Sequence, residues 1–223
     1  MSIRTEGGCV SEPQAMSPLA RSPIAPAAPV AVVDGWEVSG RRTTAALSIT
    51  DCAPLAKIQA RAPIGGRAAA GLDVRFGRAG RDADGVLVVG SGPGEWLLIG
   101  PPGAAKAIAA RLDGLAASAP EELVTVVDLT HGRAMIRLNG PSGAAVLGKL
   151  CGIDLSDEMT PDGAALRSSV AALSTDIIRD DRAGVRSYLL HCERSSGQYL
   201  FDALLESGGE FGMEIAGFTP PGI

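Results

Sequence analysis

The chain has 223 residues, a hydrophobic fraction of 46% and a formal net charge of −5. That length supports one domain with a real core, or two small ones. The acidic balance, 4% aromatic content and lack of any dense Lys/Arg run argue against a nucleic-acid partner. Cys9, Cys52, Cys151 and Cys192 show no metal-ligand spacing, so they read as reduced thiols with no zinc and no disulfide framework. No apolar run reaches the roughly 20 residues that span a bilayer, and no apolar signal region follows Arg4 and Glu6. The expectation is a cytoplasmic protein with no membrane partner.

Residues 11–31, "SEPQAMSPLARSPIAPAAPVA", hold five prolines among Ala and Ser. Such a segment has few large side chains to offset its ordering entropy. Residues 1–33 are therefore expected as a disordered Pro/Ala-rich tail, or as an arm that orders on a partner subunit. A single domain is expected over residues 34–223. Next comes the glycine cluster of "VVGSGPGEWLLIG", residues 88–100. A dinucleotide fingerprint needs a third glycine, a following helix and free backbone donors. Here Glu95 stands in the sixth position, Pro93 removes a donor, and an apolar strand-like run follows. Pro93 and Gly94 instead fit the centre of a type II turn, which predicts a hairpin of two antiparallel strands.

A helix is predicted near residues 103–113, with Ile108, Leu112 and Leu115 on one face and Gly114 as its stop. Strands are predicted over 122–130 and over 133–139, the latter half-buried by its alternation. A second helix follows Pro141, with Val146, Leu147, Leu150 and Cys151 inward. Residues 152–164 read as a connector, and "LRSSVAALSTDIIRDD" and "RSYLLHC" as strands around a turn. A third helix is expected to open at Ser195 with a Ser195/Gln198 capping box, bury Leu200, Ala203 and Leu204, and stop at Gly208–Gly209. "EFGMEIAGF" gives a last strand. The fold class is α+β, with antiparallel sheets and packed helices, and the successive α–β–β stretches suggest a weak internal duplication.

Candidates for chemistry are few. His131, near Asp128 and Arg133 in "DLTHGR", fits a general base or, better, a solvated turn. His191 and Cys192 are neighbours on a strand, so they point to opposite faces and cannot pair. Ser195 and Ser196 lack a nucleophile elbow. Asp154, Asp157 and Glu158 lack a calcium-loop pattern, and Asp180–Asp181 read as a hairpin tip. No catalytic residue and no metal ligand is assigned. A ligand site, if present, has Asp176, Asp128 and Tyr188 as its candidates.

Three stretches form a connected series: "SGPGEWLLIGPP", "VVDLTHGRAMIRLNGPSGAAVLGKLCGIDLSDEMTPDGA" and "YLLHCERSSGQYLFDALLESGGEFGMEIAG". Together they resemble the gamma subunit of heterotetrameric sarcosine oxidase over about residues 45–217. That family is related to the folate-binding domain of the aminomethyltransferase of glycine cleavage. The resemblance implies the fold of that domain and a complex that demethylates sarcosine oxidatively to glycine. It implies alpha, beta and delta subunits as partners. It places FAD, FMN, NAD and tetrahydrofolate on the complex, with no cofactor on this chain. The transferases carry an Asp-Asp pair near "STDIIRD"; here only Asp176 remains, behind Thr175. The sequence given stops at "FTPPGI", so the transferases' C-terminal barrel, which would close a folate pocket, is expected to be missing. Two functions compete: a non-catalytic gamma subunit, which predicts exposed apolar surface for its partners, and a free-standing folate-binding or aminomethyltransferase-like protein.

Overall fold

The computed structural model describes residues 18–223. The chain opens with three short strands: β1 (Ala20–Arg21), β2 (Val30–Val33) and β3 (Trp36–Ser39). They form a small sheet in which β3 lies between its partners. Next come β4 (Ser48–Asp51), β5 (Ala56–Arg61), α1 (Arg67–Ala70), β6 (Ala79–Arg81), β7 (Leu87–Gly92), β8 (Glu95–Gly100) and α2 (Ala105–Ser118). The same order then repeats: β9 (Thr125–Asp128), β10 (Arg133–Asn139), α3 (Gly143–Gly148), β11 (Ala165–Val170), β12 (Leu173–Arg179), β13 (Ser187–Glu193) and α4 (Gly197–Gly208). The strand β14 (Glu214–Ala216) follows.

The two β–β–α–β–β–β–α units exchange their first strands. One sheet has the order β6-β7-β8-β5-β9 and the other β11-β12-β13-β10-β4-β14. Each sheet is thus a unit's own four strands plus the other unit's first strand, and β14 adds the sixth strand of the larger one. The likeness extends to single bonds. Asp51 Oδ1 accepts from Ala53 N at 2.9 Å, and Asp128 Oδ1 accepts from Thr130 N at 2.8 Å. Cys52 N donates to Met135 O, and Leu129 N donates to Lys57 O, both at 2.8 Å. The internal duplication is therefore present, but it begins at β4 and β9 rather than at the helices.

Four layers result. Ile49, Ile136, Leu138, Ile177 and Leu190 pack the six-stranded sheet against α3 and α4. The opposite faces of the two sheets meet through Leu87, Val89, Leu97, Met135, Ile178 and Leu189. The far face of the five-stranded sheet, with Ile58, Val88 and Leu98, holds Ile108 and Leu112 of α2. The sheets also join at one edge, where Ala79 N donates to Gly163 O and Ala165 N to Gly77 O.

Several expectations are met and several corrected. The hairpin over residues 88–100 forms, with Gly94 at φ 70°. The unfolded tail holds for no part of residues 20–33, which carry β1 and β2; residues 1–17, with Cys9, lie outside the described residues. The segment folds because Ile24 enters the helix-side core, Trp36 and Val38 enter the middle layer, and the adjoining β2 pairs with β3. Gly114 does not stop α2, which runs to Ser118 because Leu115 still packs over α1 at Gly71. The strand expected over 122–130 is only β9, since Glu122 turns to accept from Arg67 N and Ala68 N. β10 is buried on both faces, not one, because a second sheet covers it. The capping box does not form: Gln198 accepts from Ala25 N at 2.7 Å and donates to Asp202, and α4 starts without a side-chain cap. "LRSSVAALSTDIIRD" is two strands, not one, and β14 joins β4 in parallel.

Candidate functional site

The polar groups with functional potential lie where the two sheets face each other. Along β13 the side chains alternate. Tyr188, Leu190 and Cys192 point to the helices, and Leu189 and His191 point to the other sheet. Asp176 on β12 stands opposite His191 in register. Its Oδ1 accepts from Arg167 Nε at 2.8 Å, and His191 Nε2 lies 3.5 Å from its Oδ2. Arg167 also approaches Glu95 at 3.5 Å, and Glu95 is held by Arg61 at 2.8 Å and by Ser91. A chain of charges therefore crosses from one sheet to the other. Partial burial works to raise the Glu95 carboxyl, but Arg61, Ser91 and Arg167 together outweigh it and hold the group below its usual range. Burial pushes the His191 imidazole down to about 4, with Asp176 opposing. His191 is thus neutral at pH 7, and neither ring nitrogen has a hydrogen-bond partner.

A second cluster forms around Asp180, which the sequence reading placed at a hairpin tip. Asp180 is buried and accepts from Arg137 Nη2 at 2.9 Å, Arg81 Nη2 at 2.8 Å and Arg182 Nε at 3.1 Å. Arg81 comes from one sheet and Arg137 from the other, so this carboxylate ties the layers together. The third group is Lys57, at 0% exposure. Its Nζ donates to Ala53 O at 2.8 Å and Leu55 O at 2.7 Å, and burial pushes its ammonium down to about 8, with Asp51 opposing.

The three sequence candidates do not converge. Asp176 faces the middle layer, Tyr188 faces the helices with its hydroxyl unpartnered, and Asp128 is exposed with Oδ1 on Thr130 N. The space around Asp176 and His191 is too small for a water molecule. These residues therefore do not fit a pterin. Thr175 is buried and donates to Leu173 O, so no second carboxylate stands beside Asp176. His131 lies exposed in a turn, as the favoured sequence reading had it, and its ring also stacks on Trp36 with centroids 4.8 Å apart. A cleft of about 690 Å³ lies elsewhere, along Gly65, Ala69, Asp73, Arg75, Arg78 and Trp96. The buried Lys57 and the Asp180 cluster escaped sequence reading, because neither sits in a recognisable motif. Among the described residues no three His, Cys, Asp or Glu side chains gather as a metal site.

Comparison with known proteins accounts for this arrangement. The GCVT N-terminal domain family matches residues 76–220. Sarcosine oxidase subunit gamma of Corynebacterium sp. strain U-96 is 30% identical over 201 residues, covering 86% of this chain and 92% of that protein. The chain belongs to the sarcosine oxidase gamma-subunit family. The solved heterotetrameric sarcosine oxidase of Corynebacterium sp. U-96, in complex with pyrrole 2-carboxylate, contains a chain of the same fold. That match has a TM-score of 0.65 and 24% identity, over 78% of this chain and 90% of that one. Aminomethyltransferase T of the glycine cleavage system from Bartonella henselae shares the fold at a TM-score of 0.64 and 17% identity, over 84% of this chain and 55% of that one. The gamma-family fold is thus the α+β aminomethyltransferase fold expected from the sequence, and in this member the interior carboxylates of Asp176 and Asp180 are spent on arginines.

Proposed function

We propose that this chain is the gamma subunit of a heterotetrameric sarcosine oxidase, a non-catalytic companion in the oxidative demethylation of sarcosine to glycine. One observation carries the reading. Asp176, the carboxylate left where the transferases have a pair, is closed in by Arg167, with no room for a substrate. Alpha, beta and delta subunits are its partners, and FAD, FMN, NAD and tetrahydrofolate belong to them. The complex works in the cytoplasm; no helix among the described residues is long and apolar enough to cross a membrane. Exposed apolar side chains on β2 (Val30, Val32) and around β9 (Leu123, Val127) fit a chain that buries surface against companions.

Co-expression with the genes beside it tests the proposal. The expected result is a stoichiometric complex with flavin absorbance and sarcosine-dependent turnover, while the chain alone is colourless and inactive. A free chain that bound tetrahydrofolate stoichiometrically would overturn it in favour of a free-standing folate-binding or aminomethyltransferase-like protein.

A further inference from the structure

The glycine cluster of residues 88–100 has one member that the hairpin does not explain. Gly90 pairs with Trp96 across β7 and β8, and a Cβ at Gly90 would collide with Arg75 O. The missing side chain lets residues 75–78 lie against β7. Gly77 N donates to Gly90 O at 2.9 Å, Gly90 N donates to Arg78 O at 2.8 Å, and Arg78 N closes on Arg75 O at 3.2 Å. From the neighbouring strand, Trp96 Nε1 donates to Val74 O at 2.6 Å. One cross-strand pair thus fixes the backbone of a short segment that carries two arginines.

Both arginines line the cleft of about 690 Å³ beside α1. Ala69, Ala70, Val74, Ala79 and Trp96 give it apolar walls. Small-molecule sites have volumes of roughly 300–1,000 Å³ and this mixture of apolar lining and a few polar groups. Around the cleft the chain matches its guanidinium groups with carboxylates: Arg61 with Glu95, Arg67 with Glu121, Arg81 with Asp180 and Arg111 with Asp82. Arg75 and Arg78 have no such partner among the described residues, and their side chains donate no hydrogen bond there. Asp73, the one carboxylate that lines the cleft, pairs with neither. The recess therefore holds a positive charge in excess, in the form of guanidinium forks that suit oxyanions.

We propose that this cleft binds a small molecule bearing a carboxylate or phosphate on an apolar body, with Arg75 and Arg78 on the oxyanion and the apolar part against Trp96. A small molecule fits better than an acidic side chain of a companion, because the charge sits in a recess with apolar walls that such a side chain would leave uncovered.

Nuclear magnetic resonance titration of the isotope-labelled full chain tests it, with benzoate, acetate, phenyl phosphate and inorganic phosphate as probes. The indole N–H signal of Trp96 should move while that of Trp36 stays. Each ring-bearing probe should bind at least about tenfold more tightly than its ring-free counterpart, and the tighter of the two identifies the oxyanion. The Arg75→Gln/Arg78→Gln double variant should bind at least about tenfold more weakly and keep its Tm. A Trp96 signal that stays fixed, a double variant that binds like the parent, or equal affinity with and without the ring overturns the proposal. These titrations use the free chain, so their outcome is separate from that of the subunit reading. Calorimetry on the co-purified complex should show the binding retained; binding lost on assembly assigns the cleft to an acidic group of a companion and overturns the proposal.

Discussion

His191 occupies the place that Ile99 holds in the first repeat: Ile99 pairs with Leu87 across β7 and β8, as His191 pairs with Asp176 across β12 and β13. An apolar position has thus been given a titratable ring without a hydrogen-bond partner. Its folded pKa is about 4 against an ordinary 6.5, so the unfolded chain binds a proton that the folded chain refuses. This stabilisation is complete above pH 6.5 and drains away as the pH falls to 4, a loss of about 3 kcal/mol. His191→Leu should therefore gain about 3 kcal/mol on the parent between pH 7 and pH 4 in urea titrations; parallel pH profiles would refute the assignment. Lys57 is the same kind of exception, standing where the second repeat has Met135, since Cys52 N meets Met135 O as Leu129 N meets Lys57 O. The opposite facing of His191 and Cys192 was legible from strand alternation, but the burial of Lys57 was not. A lysine in "PLAKIQAR" reads as the solvent face of a strand, and only the second sheet makes that face interior.

The turn between β11 and β12 shows the corresponding limit at the level of elements. Ala171 and Ala172 both sit in the left-handed region, at φ 49° and 64°. An L-residue there costs roughly 1–2 kcal/mol, and glycine largely escapes that cost. Ala172→Gly should stabilise the chain by about 1 kcal/mol and raise Tm by about 2–4 °C in a thermal scan. A lowered Tm would show that the turn is not held as described. Two alanines carry no turn signal, so this hairpin was invisible in the sequence. The β7–β8 hairpin was plain, because Pro93 presets one torsion and Gly94 supplies the positive φ. The capping box at Ser195 failed for a different reason. Its glutamine was claimed by Ala25, 173 residues away in sequence, and local spacing carries no trace of that bond.

For the whole molecule, the fold class was readable because strand and helix periods are local, while the closing of its layers was not. Composition averages residues 18–33 into a Pro/Ala tail, yet the segment brings Ile24 to one core and leads into Trp36 and Val38 of another. A chain starting at residue 41 should lose Trp36 from the layer that holds Leu55, Met135 and Phe218, and stacking on His131 with it. Truncating a buried tryptophan alone costs about 3–5 kcal/mol, so the shortened chain should aggregate or melt well below the parent; an unchanged Tm would mean that the N-terminal sheet is dispensable.

The exchange of β4 and β9 also governs how the chain can be made. During synthesis the first half emerges with its own strand β4 addressed to a sheet that does not yet exist, and its sheet waits for β9 from the half still to come. Neither half is an autonomous piece, so proteolytic or genetic division between α2 and β9 yields fragments that are whole only in each other's company.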